Sequence, residues 1–264
     1  MAEKDSLDPE KIKANVKTRR IGREVLVYRR TSSTNDLAGE YAKGKGSDGL
    51  AVFAEEQTAG RGRGGTKWRS GRADSLLCSV VLIESGLAAD LLSLTCAVAV
   101  AEAIGKPARW DARIKWPNDI MINGRKVAGI LLESRTYAHG KAYIIGIGIN
   151  CHQGGDCFGP ELRGTATSID IEAGTFCDRL SLARRLLASL EHWLEIAVGD
   201  SAAVIERWRK LSIQLGQRVT LIYDGREFTG NCIGVDPEKG LILQLDRGGV
   251  RMFDAAHTTI AKRN

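Results

Sequence analysis

No apolar run in this 264-residue sequence approaches the roughly 18–20 residues that a membrane span needs. The first twenty residues, Met1 to Arg20, alternate charges and hold no apolar stretch of the secretory-signal kind, so the expected location is the cytoplasm. Histidine is scarce: the chain has four (His139, His152, His192 and His257), and none has a partner at metal-ligand spacing. The six cysteines form no CxxC pair. Several lie in apolar runs such as Leu76-Leu77-Cys78, which reads as small buried hydrophobes in a reducing compartment rather than as a disulfide or zinc framework. No GxxxxGK[ST] occurs, which excludes a phosphate-binding P-loop. There is no internal repeat and no low-complexity tract.

What remains is enough for a packed core. Hydrophobic residues make up 43% of the chain, and the length suits one large domain or one large plus one small. The net charge of +6 is modest, but its distribution is uneven. Gln57 to Arg72 holds five basic residues, five glycines and no acid, a composition that suits a small polyanion better than a packed interior.

Along the chain, residues 8–20 read as a short helix or arm, and Glu24 to Tyr28 as a strand. Ser33-Thr34-Asn35 stand where a helix should begin, since their side-chain oxygens accept free backbone N–H groups. Strands are expected at Leu50 to Ala54 and Ser75 to Ile83, and a helix at Leu87 to Ile104. Three more apolar runs follow at 120–122, 127–132 and 143–149, the first two joined by Asn123-Gly124, a two-residue hairpin signal. Helices are expected at 178–198 and 202–211. The last fifty residues change to short β-rich runs (219–223, 241–245, 250–253) between turn residues, which reads as a small antiparallel barrel with a boundary near Leu215-Gly216.

Three segments carry chemistry. Gly60-Arg61-Gly62-Arg63-Gly64-Gly65-Thr66-Lys67-Trp68 satisfies GxGxxG, but Lys67-Trp68-Arg69-Ser70-Gly71 is no helix start, so a dinucleotide-binding fold is rejected. Lys115-Trp116-Pro117-Asn118-Asp119 has turn chemistry. A turn alone, however, explains neither the lysine beside an indole nor the basic pair Arg125-Lys126 downstream. Gly146-Ile147-Gly148-Ile149-Asn150 places alternate glycines in an apolar strand, as a bulge or the close approach of a ligand would require.

In this order the segments resemble the catalytic domain of the biotin–protein ligases. The resemblance rests on Ser33-Thr34-Asn35, Gln57 through Arg63, Trp68, Lys115 to Asp119, Arg125 to Gly129 and Gly146 to Asn150. It implies an α+β fold: a mixed β-sheet catalytic domain with helices packed on one side, of the class II synthetase-like kind, and a small C-terminal SH3-like β-barrel. The implied division is an arm or short helix at 1–22, a catalytic biotin- and ATP-binding domain at 23–214, and the barrel at 215–264. The implied activity makes biotinyl-adenylate from biotin and ATP, with Mg²⁺, and passes the biotin to a lysine of a biotin carboxyl carrier domain.

By the same resemblance, Ser33, Thr34, Asn35, Gln57, Arg61, Gly62, Arg63, Lys126 and Gly129 bind biotin. Arg61, Arg63, Trp68, Lys115, Asn118, Lys126 and Asn150 bind ATP or the adenylate. Lys126 and Arg63 act in catalysis, and our own candidate for the third catalytic group is Asp119, to orient or deprotonate the acceptor amine. Relatives that also act as repressors carry an N-terminal helix-turn-helix domain. Some twenty residues precede the first strand here, so no DNA binding is expected. A homodimer through paired sheet edges is compatible with the fold. Where the family's loop usually carries bulk or charge, Gly64, Gly65 and Thr66 lead us to expect a more mobile segment before substrate binds. A lipoate–protein ligase or octanoyltransferase, and a nucleic-acid module using the basic loop, are the rival readings.

Overall fold

The runs Ser75 to Ile83 and Tyr143 to Ile149 lack the polar alternation of a half-exposed strand because both lie in the middle of a sheet covered on its two faces. The computed structural model describes residues 5–105 and 110–261. Its larger sheet contains β1 (Val25–Tyr28), β2 (Ala51–Ala54), β3 (Ser75–Ile83), β4 (Arg113–Lys115), β5 (Asp119–Ile122), β6 (Arg125–Tyr137) and β7 (Gly140–Asn150), side by side as β1-β2-β3-β7-β6-β5-β4. The β1–β2 pair is parallel and the other pairs are antiparallel. Asn123 and Gly124 take left-handed backbone (φ 50° and 75°) and close the β5–β6 hairpin, as expected.

Leu76, Cys78, Val80 and Leu82 of β3 and Tyr143, Ile145, Ile147 and Ile149 of β7 face the main core. Against them pack α3 (Ala89–Gly105) and α5 (Arg179–Gly199), with α6 (Ser201–Leu211) beside both. Helix α3 is apolar around its whole circumference because it is enclosed by the sheet and the other two helices. The expected one-sided packing holds for these three long helices. On the opposite face, α2 (Thr34–Tyr41) sets Ala38 and Ala42 against Val52, Val81, Ala142 and Ile144. By the period-2 alternation of a strand, Gly146 and Gly148 share that face. Asn35 in the first turn of α2 lies against Gly146, and Gly148 lies beyond it under Trp68, so a glycine floor runs beside the helix N-terminus.

After α6, strands β8 (Arg218–Tyr223), β9 (Arg226–Asp236), β10 (Gly240–Leu245), β11 (Val250–Phe253) and β12 (Thr258–Ile260) form a five-stranded antiparallel sheet ordered β11-β10-β9-β8-β12. This is the coarser part of what the β-rich tail led us to expect. Strand β9 does not stand out in the sequence because Gly230, Asn231 and Gly234 interrupt its apolar period. Gly230 is required there, since a Cβ would lie 2.2 Å from the carbonyl oxygen of Gln244.

The N-terminal segment is short helix α1 (Pro9–Lys13), capped by Asp8, followed by a stretch pinned to α5. The backbone N–H groups of Arg19, Arg20 and Ile21 all donate to the Glu191 carboxylate, at 2.7, 3.0 and 2.7 Å. A second anchor joins Asp5 to the fully buried Arg179, whose guanidinium also donates to Glu55 at 2.7 Å. Beside it His152 has Nδ1 2.8 Å from Asp170 and Nε2 3.6 Å from Asp5, while its ring stacks on Phe176. Burial alone would depress the His152 pKa, but the Asp5 and Asp170 carboxylates outweigh it and hold the imidazolium above its ordinary value.

A raised folded-state pKa contributes stability that is complete below the unfolded value, about 6.5, and is lost as pH rises through the folded value. The urea midpoint should therefore fall as the pH rises above about 6.5, and His152→Gln should remove that part of the dependence. An unchanged pH profile in the variant would exclude His152 as its source.

Candidate functional site

The open glycine floor is the base of a cleft of about 270 Å³. Ser33, Thr34 and Asn35 reach it from the start of α2, and Gln57 from the segment after β2. Asn118 and Asp119 come from the β4–β5 hairpin, Lys126 and Gly129 to Leu131 from β6, and Gly146 to Gly148 from β7. Arg61 to Arg63 and Thr66 to Trp68 close it from above.

Each contributor is placed by local chemistry. Thr34 N–H, an unsatisfied donor at the first turn of α2, is capped at 2.7 Å by Gln57 Oε1, so helix start and strand extension are fixed to one another. The glycine-rich segment is a pinched hairpin: Gly62 N–H donates to Thr66 O at 2.8 Å and Trp68 N–H to Gly60 O at 3.0 Å. At its tip Gly64 and Gly65 take φ of 60° and 77°, which glycine adopts without strain. Gly64 and Gly65 form the turn of this hairpin. The Trp68 indole lies across the floor, where Gly129 and Gly148 are direct cross-strand partners. A Cβ on Gly148 would lie 2.6 Å from that ring, and one on Gly129 would lie 3.1 Å from it.

Arg61, Lys126 and Arg63 are held by internal partners. Arg61 makes a forked pair with Asp36 at 2.7 and 2.9 Å and reaches Glu133 at 3.3 Å. This arginine, hydrogen-bonded to Asp36, holds the Asp36 carboxyl below the usual carboxylate range. Lys126 Nζ lies 2.5 Å from Asp119 Oδ1 and 5.8 Å from the centre of the Trp68 ring. Arg63 is half-buried and donates to Ala255 O, to Thr258 O at 3.1 Å, and to Asn118 Oδ1 at 3.5 Å, so the loop tip rests on the C-terminal sheet. Burial pulls the Arg63 pKa down, and the charges of Asp119 and Asp254 oppose that shift. Two buried donors, Asn35 Nδ2 and Trp68 Nε1, have no hydrogen-bond partner among the described residues.

Of the residues singled out in the sequence, Ser33, Thr34, Asn35, Gln57, Arg61, Gly62, Arg63, Trp68, Asn118, Asp119, Lys126 and Gly129 line this one cleft. Lys115 and Asn150 do not. Lys115 ends β4 opposite Asp119 in the ladder. Asn150 is buried at the end of β7, where Nδ2 donates to Thr167 O at 3.0 Å and Oδ1 accepts from Gln153 at 3.1 Å. The carboxylates that hold Arg61, Asp36 and Glu133, carried no signal in the sequence, and neither did Ser79 beneath α2. A cleft with cationic walls, two unspent donors and a flat floor can take a ligand with an anionic end and a planar polar ring.

Comparison with known proteins shows the family. Residues 27–150 match the biotin/lipoate A/B protein ligase family. The chain is 35% identical over 226 residues to the biotin–[acetyl-CoA-carboxylase] ligase of Paracoccus denitrificans, covering 83% of this chain and 93% of that protein. It is 31% identical over 261 residues to the ligase of the same description from Mycobacterium tuberculosis, covering 93% and 94%. A biotin protein ligase variant from Aquifex aeolicus, solved in complex with biotin, superposes with a TM-score of 0.80 at 25% identity, over 91% of this chain and 99% of that one. The chain belongs to the biotin/lipoate A/B protein ligase family. Among the described residues no helix is long and apolar enough to cross a membrane.

Proposed function

We propose that the cleft activates biotin with ATP to biotinyl-5'-AMP, releasing pyrophosphate, and then transfers the biotin to a lysine of a biotin carboxyl carrier domain. Residues 23–214 form the catalytic unit in this reading, and 215–264 a small C-terminal unit closing as a barrel. The observation that carries it is the convergence of Arg61, Arg63, Lys126, the unpaired Asn35 and Trp68 donors and the glycine floor in a single cleft. The near full-length similarity to biotin–[acetyl-CoA-carboxylase] ligases supports it.

The first step needs no general base, because a carboxylate with a reference pKa of about 4.3 is already ionised at neutral pH. Its difficulty is the approach of two anions, so catalysis consists of positioning and cationic stabilisation. Lys126 and Arg63 supply the charge, Lys126 by exchanging Asp119 for the acyl-phosphate oxygens. Arg61 serves the same end once it leaves Asp36. Trp68 covers the bound adenylate. Among the described residues no group of three His, Cys, Asp or Glu side chains converges. A Mg²⁺ carried on the triphosphate would screen phosphate charge while needing few protein ligands.

In the second step the carrier's amine attacks the acyl carbon, AMP departs, and the amine's proton must leave. Asp119, freed when Lys126 turns to the anhydride, is the carboxylate in reach of that position. The test is isotope exchange between pyrophosphate and ATP. It should require biotin and ignore lipoate and octanoate. Exchange supported by either of those acids instead would favour a lipoate or octanoyl enzyme.

A further inference from the structure

Ser79 lies outside every motif above, yet its hydroxyl touches the innermost polar groups of the cleft. It is fully buried on β3, directly across the ladder from Gly146. Its Oγ reaches Asn35 Oδ1 at 2.6 Å and Thr34 Oγ1 at 2.7 Å. The Thr34 hydroxyl in turn points at Gln57 Oε1, 3.1 Å away. Gly146 makes room for the arrangement, since a Cβ there would fall 2.3 Å from Asn35 Oδ1.

The Ser79 proton therefore faces two acceptors, and the Asn35 amide is set with its oxygen inward. The consequence lies at the other end of that amide. Asn35 is 4% exposed, it lines the cleft, and its Nδ2 has no hydrogen-bond partner among the described residues. A buried donor without an acceptor is costly, so the site is complementary to a ligand that brings an acceptor to that point.

We propose that Ser79 is a positioning residue that fixes the Asn35 amide nitrogen-outward and thereby selects ligands presenting a carbonyl oxygen there. It rests on the reading of the cleft as a biotin site, and it identifies the urea carbonyl as the group selected. A ligand with a donor in that position leaves two donors opposed and is rejected. Without Ser79 nothing holds the amide oxygen inward. The amide can then turn and offer Oδ1 to the ligand.

The probes are biotin and iminobiotin, whose protonated cyclic guanidine puts N–H groups where biotin has its carbonyl. Their affinities are measured calorimetrically near neutral pH without ATP. Wild-type protein should prefer biotin, and Ser79→Ala should cut the biotin-to-iminobiotin affinity ratio by about tenfold or more. Ser79→Thr, which retains the hydroxyl, should restore the ratio. If Ser79→Ala does not fold, Ser79→Cys, similar in size but a weak donor, takes its place. Equal weakening of both ligands, or an unchanged ratio, would mean that Ser79 only fills space and would overturn the proposal. Failure of the wild-type protein to bind biotin at all would instead sink the biotin reading itself.

Discussion

Lys126→Gln should slow adenylate formation in a single turnover by about 10²–10³-fold, the usual consequence of removing one preorganised donor aimed at developing charge. The backbone of Lys126 is clamped on both sides. Its N–H donates to Thr165 O and its carbonyl accepts from Thr167 N–H, each at 2.8 Å, which fixes where the side chain leaves β6. The chain then runs above the Trp68 ring to Asp119. A pair this exposed, with both side chains a quarter to a third accessible, adds little to stability. The variant should therefore unfold at nearly the wild-type temperature while losing activity. Lys126→Arg should not restore the rate, because a planar fork cannot replace a compact ammonium at a position set by two backbone bonds. A glutamine variant with the wild-type adenylation rate would remove Lys126 from the chemistry.

How much of this was legible in the sequence depends on the range of the interactions involved. Asn123-Gly124 announced its hairpin because the left-handed backbone of that turn is a local property. The continuous apolar runs of β3 and β7 announced strands, and the structure buries both of them. Short β4 was hidden because three residues carry no period, and β9 because its glycines serve a neighbouring strand rather than its own pattern.

At the site, many of the residues that line the cleft were visible as unusual types in unusual places: alternate glycines in a strand, and arginines in a segment without acids. Their partners were not. Asp36 lies 25 residues from Arg61, and Ser79 lies 44 residues from Asn35, so only the fold brings them together. Asn150 shows the converse. It stands in a recognisable motif, yet its amide is committed to Thr167 and Gln153.

Arg63→Gly should shorten the lifetime of bound biotinyl-adenylate by about 10²-fold, since each charge-assisted hydrogen bond lost at a shielded site contributes about 1.5–3 kcal/mol. Two effects combine. The guanidinium is the contact joining the loop tip to the C-terminal sheet through Ala255 O and Thr258 O, and it reaches Asn118 across the cleft. Its replacement also creates an unbroken run of glycines from 62 to 65, which raises the entropy cost of ordering the hairpin over the ligand. An acyl-adenylate that escapes reacts with whatever amine it meets. The variant should therefore biotinylate bystander proteins at exposed lysines, whereas the wild-type enzyme restricts the product to its carrier. Arg63→Lys should fall between the two, because it keeps the charge and the chain length but loses the fork that reaches two carbonyls at once. A chase with unlabelled biotin after adenylate formation measures the escape directly. Equal retention of label by wild-type and glycine variants would show that the loop arginine does not hold the intermediate.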